Sequence, residues 1–460
     1  MKTNDTMMYK NTITERCPET KQLEVAYSST KKGLKLFSIA CSLYICTDIC
    51  CYALSDNEAA ILIRAAFADP AWQSFLTRGA KRIIDGLKCD PDLQIDIESL
   101  IHPDYIRFTN VVWNIRLGRP AEKEEAEGML FKRYVDAHLP YTDDNVATPI
   151  FDGLCRSAFF EQYYEEKRTA LLEVIGFLIS DIQNVKKAVF FIGEPNSGKS
   201  VLLRFITRLV GEANVSNVSL NGLGQRFSPI GLHNKALNAS GEIPVNTLNG
   251  RALDVFKGIT GGDVMELEAK GKQPFSGKIN AKLLYAGNTL PAFDKTDGTA
   301  AVVERMHFIK FDRSVSGADR DNELEEKLWS ERNAIVRQAM DALKAFVLRN
   351  NTFIETDDET AVIHSMMDSA DPLSSFIDDR IEFGKDYQVH ITDVYDAYCK
   401  YSEDNALEKF TRKEFRSLMT VKPNVVIGRG KKRLGKKHSP MSYFDGIRIK
   451  AEEINLEDDE

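Results

Sequence analysis

Apolar residues change their spacing several times along this chain, and each change marks an element. Residues 1–35 carry Thr, Ser, Lys and Glu with few apolar positions and predict a loose N-terminal arm. Leu43-Tyr44-Ile45-Cys46 and the run 49–54 flank Thr47-Asp48, which predicts two short strands around a tight turn. Ser55, with Glu58 three residues on, is a reciprocally capped helix start. Helical spacing then recurs over 58–67, 72–87, 121–138 and 161–182, broken by a strand pair at 105–113, so 36–185 reads as a hairpin plus a mostly helical module. From Ala188 to about residue 350 strands and helices alternate, the pattern of an α/β sheet, ending in a long helical stretch at 323–349. That unit is expected to span 186–352. The acidic stretch around Thr356-Asp357-Asp358-Glu359 predicts an irregular linker over 353–371. Three short helices at 372–383, 391–401 and 411–419, followed by strands at 425–427 and 447–449, define a last unit at 372–450, with an acidic tail at 451–460. No internal repeat is evident.

Composition narrows the picture only a little. A chain of 460 residues with 43% hydrophobic content is long enough for several ordinary cores. Its net charge of -8 does not suggest a nucleic-acid partner, so any such reading rests on local clusters of Lys and Arg. The most apolar run, 36–54, is interrupted by Ser38, Ser42, Thr47 and Asp48 and lies too far from Met1 for a signal peptide. A cytoplasmic protein with no membrane partner is expected. Cys41, Cys46, Cys50 and Cys51 lack both a C-x-x-C pair and a neighbouring histidine, so small buried hydrophobes are expected there rather than a metal site. The scattered Cys17, Cys89, Cys155 and Cys399 fit a reducing compartment.

The chemistry concentrates at Gly193-Glu194-Pro195-Asn196-Ser197-Gly198-Lys199-Ser200-Val201, a G-x-x-x-x-G-K-S loop between an apolar strand and an amphipathic helix. Gly193 and Gly198 let successive backbone N–H groups turn inward toward phosphate oxygens, and the helix start adds its positive end. Lys199 would reach the β- and γ-phosphates of ATP and Ser200 would ligate Mg²⁺. A chance surface turn is the alternative, and the flanking strand and helix argue against it. Ala236-Leu237-Asn238-Ala239-Ser240-Gly241-Glu242 predicts a second strand ending in the carboxylate that binds Mg²⁺ and orients the attacking water, although Asn238 and Ser240 are unusually polar for that role and a solvated surface glutamate remains open. Ala281 to Asn288 is a third strand ending in an amide placed for the γ-phosphate, and Arg305 precedes the strand at His307. Arg305 reads either as a surface residue or as a finger for a neighbouring subunit's nucleotide.

The ordered set of glycine loop, Glu242, Lys257-Gly258-Ile259-Thr260-Gly261-Gly262-Asp263, Lys282 to Pro291, and Glu304-Arg305 resembles the superfamily 3 helicases, in the branch of phage, plasmid and poxvirus primase-helicases. Phe108 to Val112 and Leu172 to Phe177 resemble the helical module that precedes the ATPase in that branch. The resemblance implies an AAA+-like core between that module and a winged-helix domain. It assigns phosphate and Mg²⁺ binding to Lys199 and Ser200, the acidic role to Glu242, the sensor amide to Asn288 and a trans-acting finger to Arg305. It also implies a hexameric ring with a DNA-contacting hairpin, whose tip here is Lys270-Gly271-Lys272. That turn on its own is equally an ordinary solvated hairpin. No primase-polymerase unit is expected, so a separate primase is a candidate partner. In the last unit, Arg412, Lys413 and Arg416 fall on the third helix, and Arg429, Lys431, Lys432, Arg433, Lys436 and Lys437 fall on a basic ribbon suited to duplex DNA phosphates. The expected function is a ring-forming, ATP-dependent helicase translocating on single-stranded DNA in phage or mobile-element replication. An ATP-regulated origin-binding initiator, and a nucleotide-gated interaction or defence protein without unwinding, remain open.

Overall fold

The computed structural model describes residues 19–39, 42–67, 70–139, 147–243, 250–271, 273–291, 299–315, 317, 320–370, 372–405, 409–422, 425–434 and 441–450. The expected features at 1–18 and 451–460, and the side chains of Lys272, Lys436 and Lys437, lie outside the described residues.

A five-stranded parallel sheet organises the middle of the chain, in the order Met306–Phe311, Ala188–Gly193, Lys282–Gly287, Leu237–Ser240, Val215–Ser216. Its central strands are buried on both faces, which is why they read as continuous apolar runs. Along Ala188–Gly193, Val189 and Phe191 join one core while Ala188, Phe190 and Ile192 join another. The first core is closed by helices Tyr164–Ile179, Lys199–Val210 and Arg332–Leu348, and the second by Gly250–Gly261 and Asp357–Ala370. Tyr164–Ile179 is buried on nearly every side. Its last carbonyls need donors that water cannot supply. Arg133 donates to Ile179 O and Ser180 O at 2.8 Å, and the buried Lys282 ammonium donates to Ser180 O at 2.6 Å. Burial drives the Lys282 pKa well below its ordinary value.

A separate N-terminal core packs the three-stranded sheet Leu36–Ile39, Ser42–Cys46, Cys51–Ala53 against helices Asp56–Ala65 and Pro70–Cys89. The Ser55 capping box forms as expected. Residues 19–33, expected to be loose, are instead the helix Glu19–Gly33. It inserts Ala26 and Thr30 into this core and is tied down by Lys31 to Asp90 at 2.7 Å. Cys46 and Cys51 are buried cross-strand neighbours as expected, but their sulfurs are joined in a disulfide.

Two further expectations give way. Of 121–138 only Lys123–Ala126 is helical. Beyond Gly128, Val135, Ala137 and Leu139 are buried in a period of two, and Val135 N donates to Arg107 O at 2.8 Å, so this stretch extends the neighbouring small sheet. The supposed linker holds the helix Asp357–Ala370. Its acidic cluster complements the helix dipole, with Thr356 Oγ1 accepting from Glu359 N at 3.3 Å. Glu359 in turn is fully buried and accepts from Phe308 N at 2.8 Å, docking this helix on the sheet. At its N-terminus Asp358 meets the buried Lys167 ammonium, which also holds Asp312 at 2.6 Å.

The last core joins helices Pro372–Arg380, Ile391–Asp404 and Arg412–Val421 to a sheet ordered Ile381–His390, Tyr443–Ile449, Val426–Ile427. The first helix ends at Arg380, because the alternating residues that follow pair with Tyr443–Ile449. Among the described residues no helix is long and apolar enough to cross a membrane.

Candidate functional site

Parallel strands present all their C-terminal ends at one edge of the sheet, and the candidate residues sit there. Ala188–Gly193 runs into the glycine loop, Leu237–Ser240 into Gly241 and Glu242, and Lys282–Gly287 into Asn288. These three tips line one cleft of about 1140 Å³. Pro195, Asn196, Ser197, Gly198, Lys199, Ser200, Val201, Glu242 and Asn288 all contribute to its wall.

The loop is shaped by close contacts that only its own residues tolerate. Gly193 has φ +124, and a Cβ there would lie 2.0 Å from Phe311 O. Asn196 at φ +59 and Gly198 at φ +92 complete the turn, and helix Lys199–Val210 begins at once. Glu194 N donates to Phe311 O at 3.0 Å, and Val315 N to Asn196 O at 3.2 Å, so the chain leaving Met306–Phe311 tracks alongside the loop. Lys199 is only 6% exposed. Its ammonium donates to Gly193 O at 2.9 Å, Glu194 O at 2.5 Å and Ser197 Oγ at 3.1 Å. Burial lowers its pKa, with Glu194 working the other way. Gly193 and Glu194 therefore act through backbone carbonyls that aim Lys199. Ser200, Glu242 and Asn288 are exposed to the cleft, where phosphate and a divalent cation could meet them.

The cleft also has apolar wall residues that the sequence patterns did not reveal. Pro149, Ile150, Leu154, Val315 and Leu324 line it. The first three belong to helix Pro149–Ala158, outside the sheet. Glu331 fixes that helix, its carboxylate accepting from Ile150 N at 2.9 Å and Phe151 N at 3.0 Å. The available signal was Pro149 at a helix start followed by Phe151, Leu154, Cys155 and Ala158 in helical spacing.

Arg305 is not in the cleft. It precedes Met306–Phe311, where its carbonyl accepts from Ala188 N at 2.7 Å, at the opposite end of the sheet. With six residues in Ala188–Gly193 at about 3.3 Å each, this is roughly 20 Å from the glycine loop. The same end carries the root of the hairpin Val264–Leu267 and Phe275–Lys278, which leads into Lys282–Gly287. Lys270 is exposed in its connection beside Gly271 at φ +76. Arg226 pairs with Glu268 at 2.6 Å and sets the 44%-exposed Phe227 next to this hairpin. Lys187, whose ammonium donates to Met306 O at 3.0 Å, adds a cation beside Arg305.

In the last unit, Arg412, Lys413 and Arg416 are exposed on Arg412–Val421 while Phe415 and Met419 face the core. Arg412 is partly engaged with Thr392 Oγ1. Arg429, Lys431, Lys432 and Arg433 are exposed on the ribbon. It is continued by the pairing of Lys432 with Met441.

Residues 191–305 match a family described only as a family of unknown function, DUF5906. The fold is similar to the apo structure of the NrS-1 C-terminal region, with TM-score 0.52 at 12% identity, over 93% of this chain and 99% of that one. An A-form apo structure of the same region gives TM-score 0.49 at 11% identity over 92% and 99%. At such identity the first likeness speaks for the fold alone.

Proposed function

We propose that the chain is an ATP-dependent DNA helicase of the superfamily 3 type, working as a homo-oligomeric ring, in keeping with a hexamer, on single-stranded DNA during phage or mobile-element replication. The observation that carries this is the convergence of the glycine loop, Glu242 and Asn288 on one cleft, with Arg305 and a lysine-tipped hairpin at the other end of the same strands. The strand order supports an AAA+-like core, and three helices interleaved with a three-stranded sheet support a winged-helix unit at 372–450. ATP and Mg²⁺ fit the residues present: Lys199 is aimed along the loop, and Ser200 and Glu242 offer oxygen ligands in the cleft.

Bound Mg²⁺ would supply charge neutralisation at the transferring phosphoryl group. Lys199 holds β- and γ-phosphate oxygens through a desolvated ammonium, Glu242 takes up or orients the proton of the attacking water, and Asn288 donates its amide toward the γ-phosphate. Arg305 acts on the nucleotide of the next subunit. Lys270 contacts DNA phosphates without reading bases, as would Lys272, and the exposed ring of Phe227 offers a stacking platform beside them. The basic helix and ribbon engage duplex DNA.

ATP hydrolysis measured with and without single-stranded DNA, in wild type and Lys199→Ala, tests the reading. DNA-stimulated turnover that vanishes in the variant is expected; turnover indifferent to DNA sinks it. The ribbon keeps an origin-binding initiator in view, because its cations form a surface independent of the cleft. A Lys270→Ala/Lys272→Ala chain that loses unwinding but keeps duplex binding separates the two.

A further inference from the structure

The cleft has a second cation in cis that the loop motif does not announce. Arg320 lines it together with Asn196, Val315 and Leu324. After Met306–Phe311 the chain lies beside the glycine loop at Val315, and Arg320, ahead of helix Leu324–Ser330, lines the same cleft. The helix that follows Arg320, Leu324–Ser330, is fastened to Lys199–Val210 by Arg204 with Glu325 at 2.6 Å and Arg208 with Glu326 at 2.8 Å.

The charges around it leave Arg320 available. Its neighbour Asp321 is committed elsewhere, accepting from Glu323 N at 2.9 Å and pairing with Lys327 at 2.7 Å, and Lys327 holds its carboxyl below the ordinary range. Among the described residues no hydrogen bond or ion pair engages the Arg320 guanidinium, which is exposed. Lys199, by contrast, is buried and already shared among three loop oxygens. A nucleoside polyphosphate brings several negative charges into a cleft that also holds Glu242. A guanidinium can grip two phosphate oxygens at once, adding to what Lys199, the loop N–H groups and Mg²⁺ would supply.

We infer that Arg320 is a second nucleotide-contacting cation, supplied in cis, which engages phosphate oxygens of a bound nucleoside di- or triphosphate. This rests on the nucleotide reading of the cleft and adds a residue to it. The test is binding of ADP and of adenosine to the full chain, in wild type, Arg320→Ala, Arg320→Lys and Arg320→Glu, with thermal melting as the folding control. ADP affinity is expected to fall about tenfold in Arg320→Ala and further in Arg320→Glu, with Arg320→Lys between wild type and Ala, and adenosine unchanged throughout. Equal ADP affinity in wild type and Arg320→Ala overturns the inference and leaves the nucleotide reading standing. A loss shared equally by adenosine also overturns it, because the guanidinium then serves the base. Wild type that binds neither ligand removes the nucleotide reading itself.

Discussion

The two ends of the central sheet differ in how complete they are. At the C-terminal end of the strands, the glycine loop, Glu242 and Asn288 face one cleft, and Lys199 is held by three oxygens of its own loop. At the N-terminal end, Arg305, Lys187 and the root of the hairpin lie together, away from that cleft. One end is organised within a single chain. At the other, Arg305 and Lys187 are only partly exposed and donate to the carbonyls of Ala301 and Met306, with no carboxylate partner among the described residues. In the proposed ring this difference is functional, since each nucleotide site takes its cleft from one subunit and its finger from the next.

The sharpest way to break the comparison is Arg305→Ala. Turnover should fall by about 10³-fold or more while ADP affinity of the isolated chain stays at the wild-type value, measured by steady-state hydrolysis and by titration. If affinity collapses with turnover, the two ends are not separable. Gly193→Ala strikes the other end. It forces a Cβ against Phe311 O at a φ that L side chains avoid, and at about 3 kcal/mol it should weaken ADP binding roughly 100-fold while duplex binding by the basic helix and ribbon is unaffected. Lys270→Ala sharpens the far end further: hydrolysis without DNA should be unchanged, and its acceleration by single-stranded DNA should drop by about tenfold. An equal loss of basal rate would tie the hairpin to the cleft.

The smallest effect is a titration. Burial lowers the Lys199 pKa below its ordinary 10.5. ADP binding requires the ammonium, so affinity should decline as pH rises through the lowered pKa toward 10.5, by up to tenfold per pH unit, with proton uptake on binding. Folding stability should move the opposite way through this contribution. Over the same window the unfolded chain binds the proton more tightly, so raising pH favours the folded state, and lowering pH through the depressed value removes that advantage. Calorimetry at several pH values checks both signs. An ADP affinity that is flat up to pH 10.5 would mean that Lys199 carries no charge to the phosphates.

Much of the cleft was legible because its parts are local. Gly193, Gly198 and Lys199 are a loop whose geometry depends on neighbours in sequence, Asn288 directly follows an apolar strand, and Glu242 follows a more polar one after Gly241. The apolar wall was not legible, because helix Pro149–Ala158 reaches the cleft only through packing, anchored by Glu331 some 180 residues away. Arg320 was missed for the same reason: nothing beside it in sequence marks it as lining the cleft. The acidic stretch at 357–359 misled because surface charge and a capped helix start look alike until Glu359 is seen buried under Phe308. Helix Glu19–Gly33 misled in the converse way: Leu23, Ala26, Tyr27 and Thr30 form a helically spaced stripe on the N-terminal core, but it is diluted by many polar residues around it.

By itself, then, the sequence determined the elements whose signal is periodic or local: the parallel strands buried on both faces, the loop turns that need positive φ, and the capped helix at Ser55. Tertiary structure alone decided which strand tips share a cleft, that Arg305 and the hairpin stand at the opposite end, and which distant side chains complete the walls. Hydrogen-bonded turns and hydrophobic periodicity act within a few residues, whereas the order of strands in a sheet is set by burial among segments far apart in the chain.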